Sequence, residues 1–594
     1  MVNDTTDSGA SEGVTRRGTL ALAGLAGVGL FGAGRVGASD GQLSLEDDLD
    51  LNGNDLINGD NFWPSSNYAS FCTSGSGDGH AQLYDTAAGT HFLRAFEGEA
   101  DSPGPVEFQA PIKGARADAP GTPRPGPLRV LEGAVVDNLS VVGHNRIDVV
   151  AAPEIDHEGD LAAEIAAYLE DQEAVDHCFV LPSGRYSWNS ELSLTDFEFF
   201  GLVGAPAATL EIESDDVDLA FRLGSGRGGA SRTTLQNVTV DISGSDDRDA
   251  GIARINVEDR AVLENVTLRG QRYRQGPNGG DRFTVLVNLT EETGLGTIRN
   301  VTLPDGDRET GNGSVGHAIP FSADPPHEGV NVFEGCYVEG FVDNGFYVAN
   351  SPGKSILRGC TAKNNGGGNV RLGDGDVCRD SRIVLENGAD SAHPGCGLWL
   401  QGGSPLAENV TIDAPGAAND VIRVNSDADG GRICNSNVYL GPDADAPAIR
   451  ITQGGNDTLE PVILENVTVH DDTRYDGDRG FSVLVRRGNV TLRDCEVRIS
   501  ESDELREGVY ISEPDVRLDR CTIEVANGGC VVNLDAEDTD LFGCRLRGTG
   551  SRSAGIGLSN GCNPDTVRAL GLRADNVSVR DWISSGLSTS DLLE

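Results

Sequence analysis

LQNVTV at 235–240, LENVTL at 263–268, IRNVTL at 298–303, FEGCYV at 333–338 and LRGCTA at 357–362 share one template. It reads apolar, any residue, small or polar, Val or Cys, any residue, apolar. The template returns as AENVTI at 407–412, LENVTV at 464–469, LRDCEV at 492–497, LDRCTI at 518–523, LFGCRL at 541–546 and ADNVSV at 574–579, with weaker copies near 378 and 433. Spacing runs from 21 to 35 residues and averages about 28. Loop length varies while the phrase does not. Each phrase alternates as a strand does, and one coil is too small to bury its own apolar face, so stacking is required. Leucine-rich repeats would need more leucine at a stricter period, and propeller blades run longer. About 13 rungs at roughly 4.8 Å predict a rod on the order of 60 Å long. A second strand, Gly-apolar-any-apolar, lies between the phrases: GFYV at 345–348, GLWL at 397–400, GVYI at 508–511 and GIGL at 555–558.

Upstream of the repeats, DHEGDLAAEIAAYLEDQ at 156–172 puts Leu161, Ile165, Tyr168 and Leu169 at helical spacing behind a capping Asp160. FVLPSGRYSW follows at 179–188, an apolar strand broken by a tight turn. One amphipathic helix ahead of a β-solenoid suits a plug over its first rung, because terminal edges must be covered. The repeats, the helix and LPSGRY together resemble the pectate-lyase-like superfamily of right-handed parallel β-helices, over roughly residues 128–594. That group includes polysaccharide lyases, glycoside hydrolases, epimerases and viral tailspikes, so the resemblance implies an all-β fold and no single activity. The Asn-Thr-Asp and Gly-His-Gly pairs of polygalacturonase-like hydrolases are missing. DPPH at 324–327 only loosely resembles the Asp-Pro-His-Asp of mannuronan epimerases, so no catalytic residue transfers from either group.

The chain of 594 residues carries a formal net charge of −47, and only Lys113, Lys354 and Lys363 among its 46 basic residues are lysines. Acid spread from end to end with lysine nearly absent fits a protein kept soluble in molar salt, where repulsion is screened to a few ångströms. The charge argues against nucleic acid or anionic lipid as a partner. TRRGTL at 15–20 followed by a Gly-rich apolar run to Gly34 resembles a twin-arginine export signal, with Val36-Gly37-Ala38 offering a cleavage site. The expected organisation is therefore a signal peptide at 1–38, a small β-rich region at 39–100, a linker with seven prolines at 101–127, and the β-helix at 128–594. The expected location is secreted or at the cell surface.

Cys336, Cys360, Cys495, Cys521 and Cys544 stand in the slot that Val fills elsewhere, so they read as small buried groups. Folding before export in a reducing compartment makes free thiols the expectation. Asn237, Asn265, Asn300, Asn409, Asn466 and Asn576 lie in sequons, yet share one slot of the repeat, where an amide can bond the rungs above and below. Asn288, Asn312 and Asn456, off the ladder, are the better glycan acceptors.

In the second strand the residue between the inward apolar positions points outward. Rung by rung it is Tyr347, Arg371, Trp399, Arg423, Arg450, Leu484 and Tyr510. Aromatic rings offer flat faces to sugar C–H surfaces and a guanidinium grips a carboxylate in a fork, so this file is the candidate substrate-binding surface. The same residues would also serve as a plain solvated sheet. Asp374, Asp376 and Asp427 follow the strand as candidate calcium ligands, acid–base groups or simple turn residues. Lys354 and Lys363 flank these rungs; in a chain that avoids lysine, a retained one suits proton abstraction. The insertion at 304–330 brings His317 and His327 towards the same region.

Two function classes follow. One is an exported β-helix that binds an acidic polysaccharide or cell-surface glycan and cleaves it by β-elimination, Arg371 and calcium neutralising the uronate while Lys354 or Lys363 takes the C5 proton. The other is a non-catalytic adhesion or tailspike-like scaffold. An unsaturated uronate product would separate them.

Overall fold

A corner that recurs once per coil organises the molecule, and the third residue of the template makes it. That residue takes a left-handed conformation at Asn237, Asn265, Asn300, Gly335, Gly359, Asp380, Asn409, Asn435, Asn466, Asp494, Arg520, Gly543 and Gly571, with φ between 51° and 64°. Asn, Asp and Gly tolerate this region best, which is why the slot is small or polar. The computed structural model describes residues 145–577, apart from short stretches between elements such as 274–282, together with strands between 36 and 107.

The early coils contribute one long strand each, and the later coils two strands each, to one parallel sheet of 27 strands bent at that corner; the later coils add a third strand to a parallel sheet of ten. A four-stranded sheet, Leu192–Leu194 to Val285–Leu289, occupies the third face of the earliest coils. The chain is an all-β, right-handed parallel β-helix, the hand that twisted strands impose on parallel crossovers. Template positions one, four and six all point inward, as Leu263, Val266 and Leu268 do with at most 2% exposure.

In the described residues the cysteines are unbridged. Those in the Val slot do more than fill volume: each thiol donates to the carbonyl of template position one in the preceding coil, as Cys521 does to Leu492 (3.3 Å) and Cys544 to Leu518 (3.4 Å). The corner asparagines form the expected ladder. Asn237 Nδ2 donates to the Gly204 carbonyl (3.2 Å), Asn265 to Asn237 (2.8 Å) and Asn300 to Asn265 (2.9 Å). A second run has Asn409 donating to Asp380 (2.7 Å), and a third Asn466 to Asn435 (2.9 Å).

Three expectations need correction. ADNVSV is not a rung: Phe542 pairs with Leu570 and Leu546 with Ala574, so ALGLRA at 569–574 stacks on LFGCRL with Gly571 at the corner. Asn288 is fully buried and donates to Asn256 Oδ1 at 2.9 Å, so it cannot accept a glycan; Asn312 and Asn456 lie outside the described residues. Asp160 precedes the helix Leu161–Glu170 without capping it through its side chain. Its carboxylate instead accepts from the Asn189 N–H (2.9 Å) and the Ser190 hydroxyl (2.6 Å), clamping the helix to the first coils while Leu161, Ala162, Ile165 and Leu169 bury.

Met1–Val142 and Gly143–Glu594 form separate compact units. The first holds an antiparallel meander of seven strands from Leu49–Leu51 to Val106–Glu107, and a strand pair Val36–Ser39 with Gln42–Leu45. The twin-arginine segment lies outside the described residues. No helix among the described residues is long and apolar enough to cross a membrane.

Candidate functional site

Parallel strands stack in register, so like positions of successive coils form files along the rod. On the ten-stranded sheet Tyr347 pairs with Arg371, Arg371 with Trp399, Trp399 with Arg423, Arg423 with Arg450, Arg450 with Leu484 and Leu484 with Tyr510. Their neighbours along each strand, such as Val370 and Leu372 or Leu398 and Leu400, are buried. The file faces outward from Tyr347 to Arg450 and again at Tyr510, with the buried Leu484 between.

Its planar groups are not free, however. A rung spacing close to the thickness of a stacked ring pair lets each guanidinium lie on its neighbour's ring. Arg371 Cζ is 4.0 Å from the centroid of Tyr347 and 4.0 Å from that of Trp399, and Arg423 Cζ is 4.9 Å from Trp399. Ring faces are thus turned along the rod, towards arginines, and ring and guanidinium edges look outward. The Trp399 Nε1 is buried without a hydrogen-bond partner.

Charge balance differs along the file. Arg423 and Arg450 share the buried Asp420, each through Nε, at 2.7 and 2.6 Å. Among the described residues Arg371 hydrogen-bonds neutral amides alone, Gln401 Oε1 from Nε (2.8 Å) and Nη2, and Asn344 Oδ1 from Nη1 (3.3 Å). Burial lowers its pKa, so its cation is one that a ligand anion would stabilise. At this end Asn344 Nδ2 lies 2.6 Å from Asp343 Oδ1 and 3.1 Å from His317 Nδ1. The His317 and Asp343 side chains are 3.5 Å apart, and the His317 ring is 5.8 Å from that of Tyr347. Asn344, Gln401 and Asp420 were not anticipated. Their signal was positional: each sits at or next to the edge of a second-strand phrase, where the strand's outward row turns the corner.

The remaining candidates sit elsewhere. Lys354 and Lys363 belong to the 27-stranded sheet. Lys354 Nζ donates to the Asp374 carbonyl (2.6 Å) and carboxylate (3.1 Å). Lys363 lies between Glu386 (2.9 Å) and Glu339 (3.3 Å), whose carboxylates raise its pKa; a lysine base needs the opposite shift. His327 is buried, accepts the Leu289 N–H at Nδ1 (3.2 Å) and has its pKa lowered by burial, the pattern of a structural bridge. Asp376 is buried and accepts from the N–H groups of Gly373 (2.7 Å) and Ser355 (2.8 Å), and Asp427 accepts from Asn425 (3.2 Å). No three His, Cys, Asp or Glu side chains converge to hold a metal ion among the described residues.

No family model matches the chain, and neither does any curated protein. Similar solved structures include the surface adhesin PfbA of Streptococcus pneumoniae, at 11% identity over 73% of this chain and 93% of that one, TM-score 0.39. The A-module of the Azotobacter vinelandii mannuronan C-5 epimerase AlgE6 is similar at 14% identity over 70% and 96%, TM-score 0.34. The catalytic domain of a GH87 α-1,3-glucanase in complex with nigerose is similar at 11% identity over 73% and 69%, TM-score 0.36. None of the three transfers a residue role to this chain.

Proposed function

We propose that this chain is an exported protein that binds an acidic polysaccharide along the outer face of the ten-stranded sheet. One observation carries the reading. In a chain of net charge −47, a cationic and aromatic file runs along one face from Tyr347 to Arg450, and within it Arg371 is hydrogen-bonded by amides rather than by a carboxylate. A uronate approaching the file meets ring edges, guanidinium edges and the flanking amides Gln401 and Asn344. Because the stack is already ordered, binding sacrifices little side-chain freedom.

Lyase-type β-elimination is the finer reading. Arg371 would neutralise the uronate and so acidify the C5 proton. The titratable groups beside it are His317, Asp343 and Tyr347, whereas Lys354 and Lys363 lie on the other sheet, each paired with a carboxylate.

The test is a glycan array in molar salt, followed by titration of any uronate polymer retained. Arg371→Ala and Trp399→Ala should each weaken binding by roughly 1–3 kcal/mol, the range of a modest hot spot. Both variants binding every uronate polymer like the parent would reject the proposal. An ultraviolet-absorbing unsaturated product, lost in His317→Ala, would make the protein a lyase; tight binding with no product would make it a scaffold.

A further inference from the structure

The file has one gap. Between Arg450 and Tyr510, where other coils place a planar or long side chain, stands Leu484. Its short side chain leaves a recess of about 150 Å³ lined by Asp445, Pro447, Arg450, Phe481, Arg486 and Arg506 among others. The three arginines differ in state. Arg506 is almost fully buried, bonds Asp471 (2.8 Å) and the Ala446 carbonyl (2.8 Å), and so builds the wall. Arg450 spends its Nε on Asp420. The guanidinium of Arg486, two residues beyond Leu484 on the same outward row, makes no hydrogen bond or ion pair with any described residue, although acidic residues outnumber basic ones 93 to 46. Among the described residues Arg486 is thus unpaired, and its guanidinium is left to meet an anion at the recess.

We infer that this recess binds a single oxyanion substituent of a sugar, a carboxylate or a sulfate ester, between Arg486 and Arg450. Phe481 and Leu484 form its apolar floor; the Phe481 ring is itself braced by Tyr510 at 4.6 Å. A guanidinium fork over an apolar surface matches a charged group carried on a pyranose ring, whose C–H face seeks apolar contact. Asp445 also lines the recess, so its charge offsets part of that of the arginines and a single oxyanion suffices to balance the rest, which sets the position of a glycan along the file. The inference rests on the proposed glycan-binding face and assigns it a specific anchoring point.

Calorimetry in molar salt on the full chain tests it. The probes are hexasaccharides of galacturonate, of mannuronate, of a sulfated galactose polymer and of neutral glucose. The parent should bind at least one charged hexasaccharide and not the neutral one. Arg486→Ala should weaken that binding about tenfold or more, and Arg486→Lys should recover only part, because the fork is lost while the charge stays. Leu484→Trp, which fills the recess and keeps both arginines, should weaken it similarly. Circular dichroism of each variant must match the parent. Selective loss for uronates identifies a carboxylate site, and loss for the sulfated probe a sulfate-ester site. If Arg486→Ala and Leu484→Trp bind like the parent while Trp399→Ala is weakened, the recess inference is overturned and the face reading stands. If all three bind like the parent, both are overturned, and equal losses for the neutral hexasaccharide overturn the anion assignment.

Discussion

Asn265 shows what one residue contributes to a coil. It holds φ at 55° and donates its amide to Asn237. Alanine there carries a left-handed penalty of roughly 1–2 kcal/mol and loses two hydrogen bonds, the one donated to Asn237 and the one accepted from Asn300, of about 1 kcal/mol each. Asn265→Ala should therefore destabilise by about 3–4 kcal/mol, and Asn265→Gly, which relieves the backbone, by about 2 kcal/mol. Denaturant melting of both variants checks the order; equal costs would mean the backbone term is absent. Asp376 offers a test in pH. Burial raises its pKa from 3.8 to about 7 despite its two N–H donors. A carboxyl raised in the folded state holds its proton there while the unfolded chain has lost it, so its stability contribution falls as pH rises from about 4 to about 7. Asp494 and Glu386, held low by Arg520 and Lys363, act in the opposite sense. The total profile hides the effect and a comparison of variants reveals it. On going from pH 5 to pH 8 the parent should lose melting temperature relative to Asp376→Asn; parallel profiles would refute the assignment.

At the scale of the strand, Trp399 was expected outward and is outward, but it is not idle. Two guanidiniums lie on its ring at 4.0 and 4.9 Å, contacts worth roughly 0.5–2 kcal/mol each according to desolvation. Trp399→Ala should cost about 1–2 kcal/mol of stability, above the 0.5 kcal/mol usual for exposed substitutions, and Trp399→Phe less. A thermal shift in molar salt of the alanine variant no larger than that of Arg382→Ala, whose guanidinium is exposed and paired with Asp413, would show the stack to be energetically empty. The file itself was legible because alternation and stacking depend only on backbone period, and the strands keep it. What the rings face was not legible, because that depends on rotamers and on the neighbouring coil. The same limit explains Asp160: composition marked the helix start, but the Asn189 and Ser190 groups that claim its carboxylate come from a turn between strands about 30 residues away. Asn288 misled for the converse reason, since its sequon gives no sign that Asn256 lies directly beneath it. At 574–579 the template matched by composition while the chain had already completed that coil with Gly571.

Over the whole chain, carboxylates and arginines meet from coil to coil. Arg299 spans Glu264 (3.1 Å) and Glu334 (2.9 Å), Arg520 meets Asp494 (2.7 Å) and Arg568 meets Asp540 (2.6 Å). Exposed pairs of this kind contribute about 0–1 kcal/mol each, and they leave the excess of 47 negative charges in place. Dilution from molar salt to low ionic strength should therefore lower the melting temperature steeply, as screening lengths grow from about 3 Å to about 30 Å. Circular dichroism during dialysis follows this; a cooperative melt unchanged in dilute buffer would count against adaptation to salt.

The corner amides also give the rod an arrow. Their direction is not interchangeable, because the first run ends on the Gly204 carbonyl and the second on the Asp380 carboxylate, which only accept. In each run the donor belongs to the later coil and the acceptor to the earlier one. A coil already in place thus waits with an open acceptor, and the incoming coil brings the proton that closes it. Growth beginning at the helix-clamped end meets a prepared template at each of these steps, as a zip closes tooth by tooth from its stop. Assembly from the opposite end would carry unpaired amide donors ahead of it, so this architecture favours folding in the order in which the chain is made.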